Sequence, residues 1–502
     1  MTKPFYITTA IHYTNAKPHI GHAYENIAAD AVARWHRKCG KRVFFLTGTD
    51  ENGQKVEKSA REAGMAPKEF VDSIVPHFKN MNSLFNISND NFIRTTDPKH
   101  RETARKIFKK VMDKGDIYLG EYEGLYCSGC EKFLLERDLV NGKCPTHERP
   151  PDMLKEKSFF FKMGAYRDRL IEHFRANPRF VMPETRYNEV FSRLEEELRD
   201  LSVSRTSFSW GIPVPEAEDH VIYVWFDALL NYISGAPEEC WPADIHLIGK
   251  DISWFHAVIW PCILMAAGYE LPKTVFCHGW ILVRKEGDAE AKKISKSLGN
   301  VVDPVELASA YGPDPVRFFL LRDNAFGQDG EFSFSALHGR INGDLANELG
   351  NLVSRTSTMV HKFSGGRVPK RSDSANPVRE EASTLLKRVS EHFEEVRLNM
   401  ALDETWKLIR TMNKFVDTEK PWELAKKGDT ERLESVLYSL LEGIRISAHF
   451  LEPFIPATAP KILEFTGAED GGFPLEKLSD WGRLKEGAPV LKMAPLFPKV
   501  EA

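Results

Sequence analysis

Three short clusters in this chain have the residue types and spacing for chemistry. His19-Ile20-Gly21-His22 sets two imidazoles on either side of a glycine. At a helix N-terminus, where backbone N–H groups lack partners and the dipole is positive, such a cluster can hold phosphate. The glycine lets a ligand come close to the backbone. Lys293-Ile294-Ser295-Lys296-Ser297 packs two lysines and two serines into five residues, between Lys285-Glu286-Gly287-Asp288 and Leu298-Gly299-Asn300. A basic loop of this kind can cover negative charge that develops on a departing pyrophosphate. Cys127 and Cys130, then Cys144 and His147, give the spacing Cys-x2-Cys-x13-Cys-x2-His. That spacing suits tetrahedral zinc in a closed structural site with all four ligands from protein. Taken singly, the first cluster also describes a surface turn and the second a solvated basic loop. Metal-free thiols are a poorer account of the third, because the surrounding residues offer little core of their own.

The elements that must position these groups are visible in the hydrophobic pattern. Residues 5–11 are rich in β-formers, and Asn15-Ala16-Lys17-Pro18 is a turn signal. Ala23, Ile27, Ala31 and Trp35 recur at helical spacing over residues 21–39. Gly40 closes that helix, and Val43-Phe44-Phe45-Leu46 reads as a buried strand. Strand, helix and strand with a short first loop begin a doubly wound parallel sheet. From about residue 117 to 223, short strand-like pieces, turns and the cysteine cluster follow one another; strand-like runs return at 221–225, 245–248 and 274–282. From about residue 336 the chain turns helical. Leu402, Trp406, Ile409, Met412 and Val416 share one helix face, and Leu433, Val436, Leu440, Ile444 and Ala448 share another. Both stripes are expected to be core packing. Gly365-Gly366 and residues 371–377 read as a loop between helices. The expected fold class is α/β. Residues 1–116 and 224–335 form the two halves of a doubly wound parallel (Rossmann-like) domain, the second half carrying the Lys-Ile-Ser-Lys-Ser loop. Residues 117–223 are an inserted connective domain with the zinc knuckle, and 336–502 form an α-helical bundle.

Composition sets outer limits. A chain of 502 residues exceeds one ordinary core and suggests about three domains. Hydrophobic content of 42% and charged content of 28% are those of a globular protein. No apolar run approaches about 20 residues, so no membrane span is expected. Residues 1–13 carry no small-residue cleavage site and run into strand-like sequence, which points to the cytoplasm. A net charge of −4 gives no bulk attraction for nucleic acid, so any RNA must be held by a local surface. Of the seven cysteines, the four outside the cluster (Cys39, Cys240, Cys262 and Cys277) are expected to be buried apolar residues and not disulfides.

The first two clusters, about 270 residues apart, together resemble the two signatures of class I aminoacyl-tRNA synthetases, with Ile294 where that family usually has methionine. Further stretches make the whole chain similar to the methionyl-tRNA synthetase family of the single-knuckle kind. Thr47-Gly48-Thr49-Asp50-Glu51-Asn52-Gly53 resembles its strand-end segment, with Asn52 where histidine is commoner. Trp210-Gly211-Ile212-Pro213-Val214-Pro215 and Tyr223-Val224-Trp225-Phe226-Asp227-Ala228, followed by Tyr232, match two more segments. Ile248-Gly249-Lys250-Asp251-Ile252 and His278-Gly279-Trp280 complete a resemblance that covers nearly all of residues 3–465.

The resemblance implies a ligase that activates L-methionine with ATP and passes it to the 3′ end of initiator and elongator methionine tRNA. It assigns ATP binding to His19, Gly21, His22, Lys293, Ser295 and Lys296, with the two histidines and two lysines as the catalytic groups and magnesium accompanying ATP. One structural zinc per chain falls to Cys127, Cys130, Cys144 and His147. Methionine falls to Ile11, Tyr13, Asp50, Trp225, Tyr232 and His278, with Asp50 taking the ammonium; Leu229 stands where some relatives have proline. Asn351, Arg355 and Trp422 match the anticodon contacts of the C-terminal helices. Sulfur–aromatic contacts worth roughly 0.3–1.5 kcal/mol each would grip the thioether. Homocysteine lacks one methyl group, a difference worth about 1–3 kcal/mol. No inserted segment is long enough for a separate editing domain, so any rejection is expected in the synthetic site, with release of homocysteine thiolactone. A monomer is expected. The alternatives are a class I synthetase for another amino acid, a non-catalytic tRNA-binding paralogue, and a nucleotidyl transferase for another carboxylate. The length of 117–223 and the four protein ligands for zinc weigh against the first, and the intact histidines and lysines against the second.

Overall fold

The computed structural model describes residues 3–127, 132–134, 136–145, 148–196, 198–285, 287–294, 299–468 and 473–501. They form two compact units, each drawn from several stretches of chain: Met1–Pro18, Phe44–Asn80 and Asn89–His278 in the first, His19–Val43, Met81–Ser88 and Gly279–Ala502 in the second.

The first unit is organised by a six-stranded sheet with the strand order Asn91–Arg94, Val43–Asp50, Phe5–Tyr13, Ile245–Gly249, Thr274–His278, Val181–Met182. Phe5–Tyr13 pairs in parallel with Ile245–Gly249 at Ile7↔Ile245, and the latter with Thr274–His278 at Leu247↔Phe276. Val43–Asp50 pairs in parallel with Asn91–Arg94. The runs are apolar because both faces are covered: Tyr6, Ile7, Phe45, Leu46, Leu247 and Val275 are fully buried. Gly48 lies so close to the neighbouring strand that a Cβ there would stand 2.1 Å from the Ile93 carbonyl oxygen, so only glycine fits. Tyr13, Asp50, Gly249 and His278 end their strands on the carboxyl side. Strand order reverses beside Phe5–Tyr13, and parallel α/β sheets bind ligands at such a point.

Residues 117–223 contribute to three sheets, one of them the three-stranded antiparallel sheet Pro213–Val214, Ala217–Ile222, Ser204–Arg205. A four-stranded antiparallel sheet runs in the order Lys132–Leu134, Ile117–Cys127, Asp152–Phe161, Leu201–Ser202. Val181–Met182, by contrast, is the edge strand of the parallel sheet.

Two readings of local structure need correction. Residues 221–225 look strand-like, but the strand is Ala217–Ile222 and a short helix, Val224–Leu229, begins after Tyr223. Asp227 in that helix accepts hydrogen bonds from buried partners, and these tertiary contacts outweigh the β propensity of Val221-Ile222-Tyr223-Val224. The run 274–282 is two strands, Thr274–His278 and Ile281–Val283, broken where Gly279 packs against the Gln328 backbone.

In the second unit the helix Ile20–Lys38 ends at Cys39, followed by Gly40 at φ +81°. Its buried Asp30 pairs with Arg317 at 2.7 Å, both side chains fully out of solvent. Arg317 also donates to the carbonyls of Phe85, Pro453 and Phe454 at 2.8–3.1 Å. Trp35 stacks on Phe393 at 4.3 Å. Both apolar stripes lie where periodicity put them, buried in the helices Leu398–Glu419 and Thr430–Leu451. Among the described residues no helix is long and apolar enough to cross a membrane.

Candidate functional site

In the first unit a cavity opens among Ala10, Ile11, Tyr13, Asp50, Trp225, Ala228, Leu229, Asn231, Tyr232, Ile252 and His256, with about 290 Å³ of space between atoms. Five of the six residues expected around methionine line it: Ile11, Tyr13, Asp50, Trp225 and Tyr232. His278 does not. It is buried at the end of Thr274–His278, in register with Gly249.

The wall is stiff because its parts hold one another. Trp225 stacks on Phe255 with centroids 3.8 Å apart and planes 12° apart, and meets Tyr13 edge-on at 6.5 Å. His256 Nδ1 lies 3.0 Å from the Ile252 carbonyl, which can only accept, so that nitrogen carries the proton. His256 Nε2 is then the acceptor for the Tyr232 hydroxyl at 2.7 Å. Behind Tyr232, the ring of His246 packs at 4.1 Å. Burial, and then the neighbouring His256, push the pKa of His246 well down, so it stays neutral. Its Nε2 accepts from Trp260 Nε1 at 3.2 Å, which leaves Nδ1–H to donate to Thr8 Oγ1 at 2.8 Å.

Asp50 is 3% exposed at the end of Val43–Asp50, and its carbonyl takes both the N–H and the hydroxyl of Thr14. Next to it, Asn52 donates to Asp227 Oδ2 at 2.7 Å. His100 Nε2 lies 2.7 Å from Asp227 Oδ1, and His100 Nδ1 lies 2.7 Å from Ser234 Oγ. This buried network pins the helix that carries Trp225 to the strand end that carries Asp50. Sequence reasoning missed Phe255, His256 and Asn231. The one available signal was the need of the buried Tyr232 hydroxyl for an acceptor.

In the second unit His19 and His22 cap the helix Ile20–Lys38. Gly21 N–H donates to His19 Nδ1 at 3.1 Å, and His19 N–H donates to His22 Nδ1 at 3.0 Å. This capping box is built from two imidazoles, which stack at 3.9 Å. Since both Nδ1 atoms accept, the proton of each neutral ring sits on Nε2. Ile20 N–H donates to Val302 O at 3.0 Å and ties the helix start to the segment after the basic loop. Lys293 lies on a two-residue strand, Lys292–Lys293, paired antiparallel with Ile281–Val283. Its ammonium stands 3.7 Å from the centre of the Trp280 ring, and its carbonyl accepts from Asn300 Nδ2 at 3.0 Å. Gly279, before Trp280, has no room for a Cβ: the Gln328 carbonyl oxygen would be 2.1 Å away. Ser295 and Lys296 lie outside the described residues.

Of the four zinc candidates, Cys127 and Cys144 are described. Both are buried and share one small cluster with Leu134 and, at its edge, Leu139. An Asn141-Gly142 turn, with φ +52° and +73°, closes the hairpin between Val140 and Lys143 just before Cys144. Cys130 and His147 lie outside the described residues. Cys240, Cys262 and Cys277 are buried, as expected, and Cys39 is half-buried. Burial pushes the thiol pKa of Cys39 up to about 11 and that of Cys277 up to about 12.

Among the C-terminal helices, Asn351 and Arg355 are exposed and one helical turn apart on Asn351–Phe363. Arg355 pairs with Asp417 at 3.0 Å. Trp422 stands on Pro421–Lys427, which packs against the helices of both Asn351 and Thr430.

Residues 5–150 and 147–357 match the family model described as tRNA synthetases class I (M), and residues 367–502 match the anticodon binding domain of methionyl tRNA ligase. The chain is 48% identical to the methionine–tRNA ligase of Caldanaerobacter subterraneus, across 100% of this chain and 80% of that protein. It is 44% identical to that of Thermotoga maritima, across 99% and 80%. Mycobacterium tuberculosis methionyl-tRNA synthetase in complex with methionyl-adenylate is similar at a TM-score of 0.94 and 44% identity, covering 99% of this chain and all of the other. Its free state gives 0.87 and 41%, covering 100% and 99%.

Proposed function

The chain belongs to the class I methionyl-tRNA synthetases, and from that premise we propose how its own residues carry the reaction. The activity is methionine–tRNA ligation. A carboxylate oxygen of methionine attacks the α-phosphorus of ATP and pyrophosphate leaves; a ribose hydroxyl at the tRNA 3′ end then attacks the acyl carbon and AMP leaves.

The observation that carries the residue assignment is the gathering of Ile11, Tyr13, Asp50, Trp225 and Tyr232 around one cavity at the strand ends. Methionine lies there. Asp50 takes the ammonium, and the aromatic wall takes the thioether by shape and sulfur contact. The pairing of Tyr232 with His256 fixes the ring of Tyr232 against the cavity. His278, at the strand end in register with Gly249, is assigned to methionine binding with these residues.

His19 and His22 present Nε2–H toward phosphate oxygens, and Gly21 gives the His19 ring room to fold over the helix start. Lys293, Ser295 and Lys296 cover the leaving pyrophosphate, with Lys293 held over Trp280 until it is needed. Magnesium, bound with ATP, supplies further positive charge at the phosphates. No protein nucleophile is required, and catalysis is positioning and charge stabilisation.

Zinc fits the donor set. Two thiols sit in one cluster with few apolar neighbours, a place where a bound metal does the work of a core. Cys127, Cys130, Cys144 and His147 hold one structural zinc. Residues 1–116 and 224–335 are assigned to the catalytic domain, 117–223 to the connective domain and 336–502 to anticodon binding, through Asn351, Arg355 and Trp422. The chain acts as a cytoplasmic monomer.

The deciding experiment is ATP–pyrophosphate exchange with each of the twenty amino acids. Exchange with methionine alone, lost in Lys296→Ala, is expected. Exchange with another amino acid would overturn the pocket assignment, and none at all, in folded protein, would mean a non-catalytic chain. Zinc analysis should give one atom per chain, and a Cys130→Ser variant that keeps full zinc content would sink that assignment. Incubation with homocysteine and ATP should release thiolactone.

A further inference from the structure

Asn231 opens the short helix Asn231–Ser234, is 1% exposed and lines the methionine cavity. Its Nδ2 donates to the Ala228 carbonyl at 2.6 Å. That bond fixes the amide: turned over, it would face oxygen to oxygen. The carbonyl Oδ1 is therefore the free end, and it is buried with no partner among the described residues. A buried acceptor left alone is costly, and such atoms in a native fold belong to a ligand or a water.

The other polar groups of the cavity narrow its use. Tyr232 and His256 are spent on each other and on the Ile252 carbonyl. Asn231 Oδ1 is then the acceptor of this lining that is buried with no partner among the described residues. Methionine at neutral pH has three N–H bonds on its ammonium and no other donor, since a thioether cannot donate. One carboxylate at a strand end does not use all three, and every ammonium N–H buried without an acceptor weakens binding. A neutral amide oxygen accepts a further bond without adding a second negative charge beside Asp50.

We propose that Asn231 is a second ammonium-binding residue, its Oδ1 accepting from the substrate's amino group in concert with Asp50. The proposal rests on the reading that this cavity takes methionine. It makes Asn231 a reader of the amino group, whereas its neighbours Trp225 and Tyr232 read the side chain.

The test pairs a protein variant with ligand variants. Dissociation constants are measured by calorimetry for methionine, for methioninol, which keeps the ammonium and lacks the carboxylate, and for 4-(methylthio)butanoate, which keeps the carboxylate and side chain and lacks the ammonium. Asn231→Ala should weaken methionine and methioninol by roughly 10- to 100-fold, the size of a hydrogen bond to a charged group. It should change 4-(methylthio)butanoate less than about twofold. Equal weakening of all three ligands would make Asn231 a packing residue and overturn the proposal, as would no weakening of any. If Tyr232→Ala leaves methionine binding intact, the cavity itself is misassigned and the proposal falls with it.

Discussion

In the cavity Trp225 is stacked on Phe255 at 3.8 Å and Tyr232 is 1% exposed; on the C-terminal helices Trp422 stands 38% exposed on a helix of seven residues. Arg355, on another of these helices, pairs with Asp417 in a solvent-exposed contact. The difference follows, on the proposed assignment, from what each place has to read. A thioether offers almost nothing directional, so the wall must be finished before the ligand arrives, with its rings stacked and Tyr232 already bonded to His256. An unpaired base brings its own flat face and hydrogen-bonding edge, so a ring in solvent can receive it. Damage to the finished wall should therefore spread to both steps of the reaction, while damage to the open surface should stay with the RNA.

The largest effect expected is at the carboxylate. Asp50→Asn should lower kcat/KM for methionine in pyrophosphate exchange by roughly 10²–10³-fold, because a buried charged partner is lost; a change under about fivefold would put the ammonium elsewhere. Next, Trp422→Ala should reduce aminoacylation roughly 5- to 150-fold, the cost of one base stack, and leave methionine exchange within about twofold. Equal loss in both assays would move Trp422 into the folding core and erase the contrast.

Acid should strike both regions. Burial, and then His256, depress the pKa of His246; burial, and then Lys38, Arg445 and Arg483, bring that of His449 down to about 2. Each unfolded histidine takes a proton near pH 6.5 and each folded one refuses it. Their stabilisation is therefore present above pH 6.5 and falls away as the pH drops toward the folded values. At pH 5 the loss from His449 alone is about 2 kcal/mol. Urea unfolding between pH 7 and pH 5 should show this slope, and it should be shallower in His449→Gln; a flat wild-type profile would refute it. The smallest effect expected is Tyr232→Phe, which keeps the ring and removes the bond to His256. It should raise KM for methionine roughly 2- to 10-fold with kcat nearly unchanged; a fall in kcat alone would show that the hydroxyl serves the reacting end.

Much of this was legible in the sequence where one residue carries its own signal. Ala23, Ile27, Ala31 and Trp35 announced the helix that His19 and His22 begin, and the stripes through Trp406 and Leu440 announced buried helix faces. Resemblance led to Tyr13, Asp50, Trp225 and Tyr232. What escaped depends on pairing across the fold. His256 sits in the apolar run Trp254-Phe255-His256-Ala257-Val258, which reads as core until Tyr232 arrives beside it. Resemblance also led to His278, which ends its strand in register with Gly249 outside the cavity lining. The helix at Trp225 was read as strand because Asp227's partners, Asn52 and His100, are more than a hundred residues distant in sequence.

The helix Ile20–Lys38 has a consequence for anyone cutting this gene. Its first turn holds His19 and His22, while its later turns lean on residues contributed from far downstream: Trp35 on Phe393 and Phe450, Lys38 on Glu452, and Asp30 through Arg317 on the carbonyls of Pro453 and Phe454. A fragment ended near residue 335 would keep every ATP-site residue named above, yet uncover a tryptophan and strip a buried arginine of two of its carbonyl partners. The turn that carries His19 and His22 is thus not a portable cassette; its footing is encoded at the other end of the message.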